Sequence, residues 1–549
     1  MKRRSYALLA VFVAIMLALL GYPAIAGHNT EPHERLAHLA NRFNTENEDR
    51  AGQPTVNSDL AFWGNIMAQG TYDGFRLFNI KNPSSPKLLV DFPCNGSQGD
   101  VSLHKAGDRL LLFRSIDGAQ DRPECEGSRN VGTLTQPLTS TLFEGIRIID
   151  VTNPRNPRFI KGVYTDCGSH THTTIRDRKN NRAIIYVSSY PLGAQYEFGE
   201  KKCKIPHQKI SIIVVPDGAP GRARVHHEHP ISGETLPVLP NTPPALEAEP
   251  GTIGCHDITA FTHRRVRTAA AACLTEGQLW DISNPLFPCT TDENCHTHIR
   301  NSTVEIWHSS TFTWDARVVV FGDEHGGGAA PGCAGPEDPT GNAWFYRYVR
   351  PGTATAPLLG RYHIPRPQPA DLECSIHNFN VIPIDESRSY IGVVGTYGGG
   401  TSVFNFTPTK TAEPTILEGS AVPILAREVA FWDTQLNSDG KGNNNVWSAY
   451  WYNNFIYASD IVRGLDVYKF LRRACGTYPD APRVCRPGDR QVTALRFRFH
   501  NPQTQERLIL PSTRDNRDDN GDDNGDDNGG DNGGDDPEDP NFQQHLQQP

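Results

Sequence analysis

The chain has 549 residues, with 53 Lys or Arg, 62 Asp or Glu, 12 Cys and 20 His. The acidic excess is concentrated at the C-terminus, because residues 515–549 carry twelve acidic side chains and one arginine, and the rest of the chain is close to neutral. A near-neutral body gives no electrostatic reason to expect nucleic acid or an anionic membrane as a partner.

Residues 1–26 have the features of a secretory signal peptide. Three basic residues at 2–4 precede an apolar run over 6–20, and Ala24-Ile25-Ala26 is a small-x-small cleavage signature. The alternative is an uncleaved membrane anchor, although the apolar run is short for a spanning helix. No second run of that length follows, so we expect a protein that acts outside the cytoplasm, secreted or at the cell surface or periplasm, without stable membrane insertion.

The next segment, residues 27–57, is polar and enriched in Glu and Asn, which predicts an N-terminal arm with a short helix over 33–43. From 58 to 470 the pattern changes to short runs rich in Val, Ile, Phe and Tyr, bounded by Gly, Asn or Asp. Regular short strands with turn signals are typical of an all-β sandwich, barrel or propeller.

A repeated segment decides among these three folds. A strand-like run followed by Asn-Pro-x-x-Pro occurs three times, with its turn at Asn82, Asn153 and Asn284. Four further runs share the strand character without the proline turn, and all seven follow one another at spacings of 58 to 71 residues. These spacings exceed the ~40–50 residues of a compact propeller blade. We therefore predict a seven-bladed β-propeller with extended inter-strand loops; a large sandwich of chance amphipathic strands is the alternative.

The segment at 145–157, in which Ile-Arg-Ile-Ile-Asp-Val is followed by Asn-Pro-x-x-Pro, resembles the LVIVD-repeat proteins. The resemblance covers about residues 55–470 and is strongest in the three copies with the proline turn. It implies a secreted β-propeller. It implies little about activity, because the biochemical role of that family is largely uncharacterised and a fold does not by itself supply a function.

Two segments of different character follow the repeats. Residues 471–512 are basic and contain Cys475 and Cys485, and we expect this extension to pack on the last blade or to close the ring. Residues 513–549 are dominated by Asp, Asn and Gly, with nothing apolar to bury, which predicts a disordered acidic tail. Weak calcium binding by the tail is the alternative, although no EF-hand loop is present.

The twelve cysteines favour disulfides, because an even number in a chain with a signal peptide is typical of oxidised secreted proteins. Pairing of sequence neighbours would close loops within or between adjacent blades, although sequence alone does not determine connectivity. No C-x-x-C occurs, and a metal role for the cysteines is the alternative. The six suggested pairs are Cys94–Cys125, Cys167–Cys203, Cys255–Cys273, Cys289–Cys295, Cys333–Cys374 and Cys475–Cys485.

Histidines recur at the start of the repeat unit in units two to six. In a propeller, equivalent positions on the innermost strands form a ring at one end of the central channel. We therefore predict that His172, His256, His308 and His377 converge there, with His104 and His325 close by. Imidazole suits copper, zinc and iron, so the ring predicts either one such ion as a cofactor or, if the ring is structural, none. The carboxylates expected beside them, as further ligands or hydrogen-bond acceptors, are Glu276, Asp323, Glu324 and Asp460.

The alternative is a structural ring, in which each histidine hydrogen-bonds to the backbone of a neighbouring blade, because repeats duplicate structural residues as readily as ligands. His226, His227 and His229 form a separate cluster that we expect on a surface loop. The glycine runs at 326–328 and 398–400 are expected to form flexible loops, or to let the backbone approach a ligand at the channel mouth.

Three functions remain open from the sequence. The first is a binding scaffold outside the cell for a protein, glycan or small molecule at the propeller face. The second is a metal-dependent enzyme, an oxidoreductase or hydrolase, that uses the histidine ring. The third is a rigid structural spacer at the cell surface. In all three we expect a monomer.

Overall fold

A computed structural model describes most of the chain between residues 33 and 510. The described ranges are 33–34, 36–42, 56–133, 135–191, 195–233, 254–263, 266–328, 340–366, 372–383, 390–407, 426–433, 444–471 and 498–508, with shorter pieces at 333, 368–369, 476–478, 481–484, 492–493 and 510. The predicted signal peptide, the predicted acidic tail, Cys475 and Cys485 lie outside them.

The described chain is almost entirely β-structure, arranged as seven antiparallel sheets of four or five strands. Two short strands come first, namely β1 (His33–Glu34) and β2 (Leu36–Arg42). Blade one contains β3 (Asn57–Trp63), β4 (Ile66–Thr71), β5 (Gly74–Asn79) and β6 (Lys87–Pro93). Blade two contains β7 (Gln98–Ala106), β8 (Arg109–Gln120), β9 (Phe143–Asp150) and β10 (Arg158–Tyr164).

Blade three contains β11 (Thr171–Asp177), β12 (Arg182–Ser188), a hairpin of β13 (Tyr196–Phe198) and β14 (Lys201–Cys203), then β15 (Lys209–Pro216) and β16 (Arg224–Pro230). Blade four contains β17 (Asp257–Phe261), β18 (Thr268–Cys273), β19 (Glu276–Asp281) and β20 (His296–Ile299). Blade five contains β21 (Trp307–Phe312), β22 (Val318–Asp323), β23 (Ala343–Arg347) and β24 (Leu358–Tyr362).

Blade six contains β25 (Phe379–Val381), β26 (Ile391–Gly395), β27 (Thr401–Asn405) and β28 (Arg427–Trp432), with β1 on its outer edge. Blade seven contains β29 (Val446–Tyr452), β30 (Phe455–Asp460) and β31 (Gly464–Phe470), with β2 outermost. A last hairpin joins β32 (Gly476–Tyr478) and β33 (Ala481–Val484). Short 3-10 turns occur at Arg178–Asn180, Pro220–Arg222 and His325–Gly328.

The prediction of a seven-bladed propeller is confirmed by how the sheets contact one another. The first strand of each blade contacts the first strand of the next, and the circle closes where β29 meets β3. Seven apolar cores lie at the seven blade interfaces. Each sheet therefore buries both faces against its neighbours, which is how radial repetition protects sheet edges.

The three Asn-Pro-x-x-Pro segments make the same turn between the third and fourth strands of blades one, two and four. In each, the asparagine carbonyl accepts a hydrogen bond from the residue three positions on, and its side-chain oxygen accepts one from the residue two positions on. Proline sets the φ angle that such a turn requires at its second position. The repeat seen in the sequence is therefore a repeated local structure.

The predicted helix over 33–43 is wrong, because this segment is extended. β2 pairs antiparallel with β31, from Leu36 opposite Phe470 to Arg42 opposite Leu465, and closes the ring as the fourth strand of blade seven. An unpaired edge of β31 would leave a row of backbone donors and acceptors without partners. That edge, rather than local propensity, determines the conformation of the arm.

The C-terminal extension crosses the channel at the end where the inner strands finish. Residues 498–508, here called the closing segment, contact six of the seven blades. His500 reaches Asn380, Gln505 donates to the carbonyl of Phe312, and Glu506 pairs with Arg178. Part of the basic extension thus closes this end of the ring. Among the residues that the structure describes, no helix is long and apolar enough to cross a membrane.

Candidate metal centre

Four histidines from four consecutive blades lie side by side at the other end of the channel, where the inner strands of blades three to six begin. They are His170, His256, His308 and His377. The ring centroids of neighbours are 4.4, 3.9 and 4.2 Å apart in that order. Equivalent positions on successive inner strands thus bring residues more than 200 positions apart into one arc.

Glu324 follows β22 directly and faces this arc. Its Oε2 atom lies 3.7 Å from Nε2 of His308, and its Oε1 atom lies 3.5 Å from Nε2 of His377. One ligand atom each from His256, His308 and Glu324 lie within 4.8 Å of one another. Zinc–nitrogen and zinc–oxygen bonds are about 2.0–2.2 Å long, so small side-chain shifts would bring these three atoms around one ion.

The protonation of these histidines suits ligation. Burial lowers the pKa of His256 and of His308 well below the usual value, and it lowers that of His377 to about 3. Each is therefore a neutral imidazole at physiological pH, which is the form that binds metal. Nδ1 of His377 hydrogen-bonds to the carbonyl of Trp447. Because a carbonyl only accepts, this nitrogen carries the proton, and the lone pair of Nε2 points toward Glu324.

His308 is the residue whose surroundings most require a ligand. Its side chain is buried, and neither ring nitrogen has a hydrogen-bond partner among the described residues. A buried polar group left unsatisfied costs about 1–3 kcal/mol. Burial also raises the pKa of Glu324 to about 7, although Tyr397 donates to it. A cation bound between His308 and Glu324 would satisfy the nitrogen and favour the ionised carboxylate.

Aromatic and acidic side chains surround the four histidines. Tyr190 contacts the rings of His170 and His256, while Tyr397 and Trp447 contact that of His377. Burial raises the pKa values of the Tyr190 and Tyr397 phenols well above the usual value, so both remain hydrogen-bond donors.

His170 is tied into the same network through three polar partners. Its Nδ1 atom lies 2.9 Å from Oδ2 of Asp117. Its Nε2 atom lies 2.9 Å from Nε2 of His256 and also 2.9 Å from the side-chain nitrogen of Gln98. His170 therefore borders the centre from a fixed position.

Three of the six histidines predicted to lie together are elsewhere. His172 lies two residues deeper along β11, about 6–7 Å at the rise of a strand, and bonds to Ser102, Ser115 and Asp100. His104 lies at the end of β7 nearer the closing segment, with Nε2 at 2.8 Å from Asp217. The expectation that these two reach the cluster does not hold, because both are positioned farther along their strands than its members.

His325 turns away from the cluster and lies 2.7 Å from Glu305, which raises the pKa of His325 to about 9. The predicted carboxylates also separate. Asp323 accepts from the backbone of Glu305, Ile306 and Gly341, and Asp460 from that of Asn445, Val462 and Arg463. Glu276 pairs with His298 and Arg300. Of these four, Glu324 is the one that faces the histidines.

The cluster His226, His227 and His229 belongs to β16, the outer strand of blade three, so the expectation of a surface loop is wrong. A strand forms here because β15 offers an edge, and the side chains of the segment alternate between exposed and half-buried positions. Nε2 of His227 lies 3.0 Å from Nδ1 of His229.

Sequence reasoning missed His170, although a signal was present. The segments Cys167-Gly-Ser-His170 and Cys374-Ser-Ile-His377 share the spacing Cys-x-x-His. A disulfide cysteine before the inner strand therefore aligns His170, rather than His172, with His377.

Five of the six suggested disulfides are present, and none of the described cysteines is free. Three of them flank the histidines, since Cys255 precedes His256 directly, and Cys167 and Cys374 lie three residues before His170 and His377. The five bonds are Cys94–Cys125, Cys167–Cys203, Cys255–Cys273, Cys289–Cys295 and Cys333–Cys374.

No protein-family model and no curated protein matches the chain. Solved structures that resemble it include a functionally unknown protein from Desulfotomaculum acetoxidans. It matches at 10% identity with a TM-score of 0.38, and the match covers 69% of this chain and 90% of that chain. A chain of a mitotic checkpoint complex matches at 11% identity, 82% and 94% coverage and a TM-score of 0.38. The β-propeller domain of Cps50 (Swd1) from Myceliophteria thermophila matches at 9% identity, 81% and 100% coverage and a TM-score of 0.39. These scores are too low to support a conclusion, and the fold rests on the strand pairing.

Proposed function

We propose that His256, His308 and Glu324 hold one transition metal ion at the channel mouth, with His170 and His377 beside it. The observation that carries this proposal is the environment of His308. This buried neutral imidazole lies next to a buried carboxylate, and no described residue hydrogen-bonds to either of its nitrogens. Imidazole and carboxylate donors together suit zinc, copper and iron.

The protein on this proposal is a metal-dependent enzyme, an oxidoreductase if the ion is copper or iron and a hydrolase if it is zinc. The ion would supply electron transfer in the first case and polarisation of a bound oxygen in the second. The phenols of Tyr190 and Tyr397 keep their protons and remain hydrogen-bond donors beside the histidines. Substrate would approach from the histidine end, since the closing segment crosses the other one.

The test is metal analysis of the mature protein after incubation with copper, zinc or iron, followed by desalting. We expect about one equivalent of one metal in the wild-type protein and none in the double variant His256→Ala and His308→Ala. The matched control is His172→Ala. It removes a buried histidine of an inner strand that does not contact Glu324. Wild-type protein that retains no stoichiometric metal would overturn the proposal.

We also infer an extracytoplasmic location and membership of the LVIVD-repeat group. Five disulfides support the location, because such bonds persist in oxidising compartments. The three identical proline turns support the group. Fractionation of the producing cell and N-terminal sequencing of the product test the first inference: an intact N-terminus at Met1 in the cytoplasmic fraction would contradict it.

A second candidate function is a binding scaffold for a protein, glycan or small molecule. Phe287 favours it, because this side chain is 55% exposed on the turn of blade four. Its ring contacts the rings of His226 and His227. No other large apolar side chain of the described residues is exposed. A screen of envelope glycans and proteins against wild-type and Phe287→Ser protein tests this function, and equal binding by both would argue against this surface.

A further inference from the structure

The two oxygens of Glu324 have different neighbours. Oε1 accepts a hydrogen bond of 2.5 Å from the hydroxyl of Tyr397. No residue that the structure describes donates to Oε2, which lies 3.7 Å from Nε2 of His308. One oxygen is therefore occupied by a buried phenol, and the other faces the proposed ion.

The turn after Glu324 leaves room for this arrangement only because it is made of glycine. Gly326, Gly327 and Gly328 all have positive φ angles, between 56° and 68°. A Cβ atom at Gly328 would lie 2.4 Å from the Tyr397 hydroxyl and 2.7 Å from Oε1 of Glu324. A Cβ at Gly327 would approach nothing closer than 3.8 Å, at Ile306. The backbone at Gly328 is thus packed directly against the Tyr397–Glu324 hydrogen bond.

Resting on the metal site proposed above, we propose that Tyr397 and Gly328 are positioning residues that make Glu324 a one-oxygen ligand. Tyr397 holds Oε1, and the absence of a side chain at Gly328 leaves the room that this hydrogen bond needs. Oε2 alone is then presented to the ion beside His308.

The consequence is control of coordination number and hence of metal choice. A carboxylate binds through one oxygen or through both. Held through one, it leaves the ion with few ligands, which suits four-coordinate zinc or a site that keeps a position for substrate. Released from Tyr397, both oxygens of Glu324 reach the ion, and the coordination number rises.

Cobalt(II) reports this difference directly, because its visible absorption is strong when four-coordinate and weak at higher coordination. We expect Tyr397→Phe to bind one equivalent of cobalt with weaker visible bands than the wild-type protein. The affinity should fall by about 10–100-fold, the usual effect of removing the partner of a metal ligand. The phenyl ring keeps the contacts of Tyr397 with His377 and Trp447, so the fold is retained.

The glycine pair supplies a matched control. Gly328→Ala and Gly327→Ala place alanine at nearly the same positive φ, so the backbone strain is equal and only the contact with Tyr397 differs. We expect the cobalt spectrum of Gly328→Ala to resemble that of Tyr397→Phe, and the spectrum of Gly327→Ala to resemble the wild type. Equal spectra for wild type, Tyr397→Phe and Gly328→Ala would overturn the positioning role.

Two further outcomes separate this inference from the metal site itself. If wild-type protein binds no cobalt, zinc or copper, the proposed metal site fails and the positioning role fails with it. If wild-type binds metal and Tyr397→Phe has an unchanged spectrum and affinity, the positioning role alone is wrong. If Gly328→Ala does not fold, Tyr397→Phe decides the matter by the same two readouts.

Discussion

The two ends of the channel are built from the same repeat, but their buried polar groups differ in how they are satisfied. At the closed end, Nε2 of His104 lies 2.8 Å from Asp217, and Gln503 of the closing segment donates to Asp59 and to Asp100. At the histidine end, His308 has no hydrogen-bond partner among the described residues and faces a buried carboxylate.

This difference separates structural histidines from candidate ligands. His172 and His308 both lie on inner strands and both are buried. His172 has two hydroxyls and a carboxylate as partners, so it needs nothing further. His172 lies two residues beyond the position that His170 shares with His308, and the hydrogen-bond partners show the difference directly.

The largest expected effect is on metal-dependent stability. Ligand at one thousand times its dissociation constant stabilises a protein by about 4.1 kcal/mol. We expect this stabilisation in the wild type, in His104→Ala and in His172→Ala, and its complete loss in His308→Ala. Thermal unfolding with and without the metal, corrected for the stability of each apo variant, measures it. Loss in His172→Ala as well would remove the distinction between the two layers.

The second effect concerns the disulfide beside His256 at the histidine end of the channel. Cys255–Cys273 joins residues 18 positions apart beside His256. Replacing both cysteines by serine should lower the free energy of unfolding by about 3 kcal/mol, from the chain entropy of a loop of that length. The control pair is Cys289–Cys295, separated by 6 residues on the outer edge of blade four, for which about 2 kcal/mol is expected. Denaturant unfolding measures both losses. A larger loss for Cys289–Cys295 than for Cys255–Cys273 would show that loop closure is not the main contribution.

A third effect tests the closed end. Gln503→Ala should lower the free energy of unfolding by about 1–3 kcal/mol, because Asp59 and Asp100 each lose a buried donor. Metal stoichiometry should stay unchanged, since the described bonds of this side chain go to Asp59 and to Asp100, the partner of His172, and not to the four clustered histidines or Glu324. Gln195→Ala, at an exposed position, should change stability by less than about 0.5 kcal/mol. A loss of metal in Gln503→Ala would show that the two ends are coupled.

The smallest effect is a pH dependence. Burial raises the pKa of Asp59 to about 7, from an ordinary value of 3.8. The folded protein therefore holds this proton more tightly than the unfolded chain, so the contribution to stability is fully present below about pH 4 and is lost as pH rises through about 7. Between pH 6 and 8 the wild type should lose about 1 kcal/mol from this group. Asp59→Asn should remove that loss, and an unchanged slope in this variant would contradict the assignment.

Local patterns were sufficient for the fold class. Seven strand-like runs at a regular spacing predicted seven blades, and Asn-Pro-x-x-Pro predicted the turns, because both depend on residues close together in the chain. The arm at Leu36–Arg42 could not be predicted in this way. Its strand conformation depends on the free edge of β31, more than 400 residues away.

The sequence by itself determined the repeat, the disulfide neighbours and the general location of a histidine-rich channel end. Only the tertiary structure decided which histidines face one another, because a shift of two residues along an inner strand moves a side chain by about 6–7 Å. That shift exchanges His172 for His170. His104 lies farther along its own strand, beside Asp217. Glu324 meets His308 within blade five, because the pairing of β21 with β22 sets Trp307 opposite Asp323. Its approach to His377 depends on the packing of blade six against blade five, which no local signal in the chain specifies.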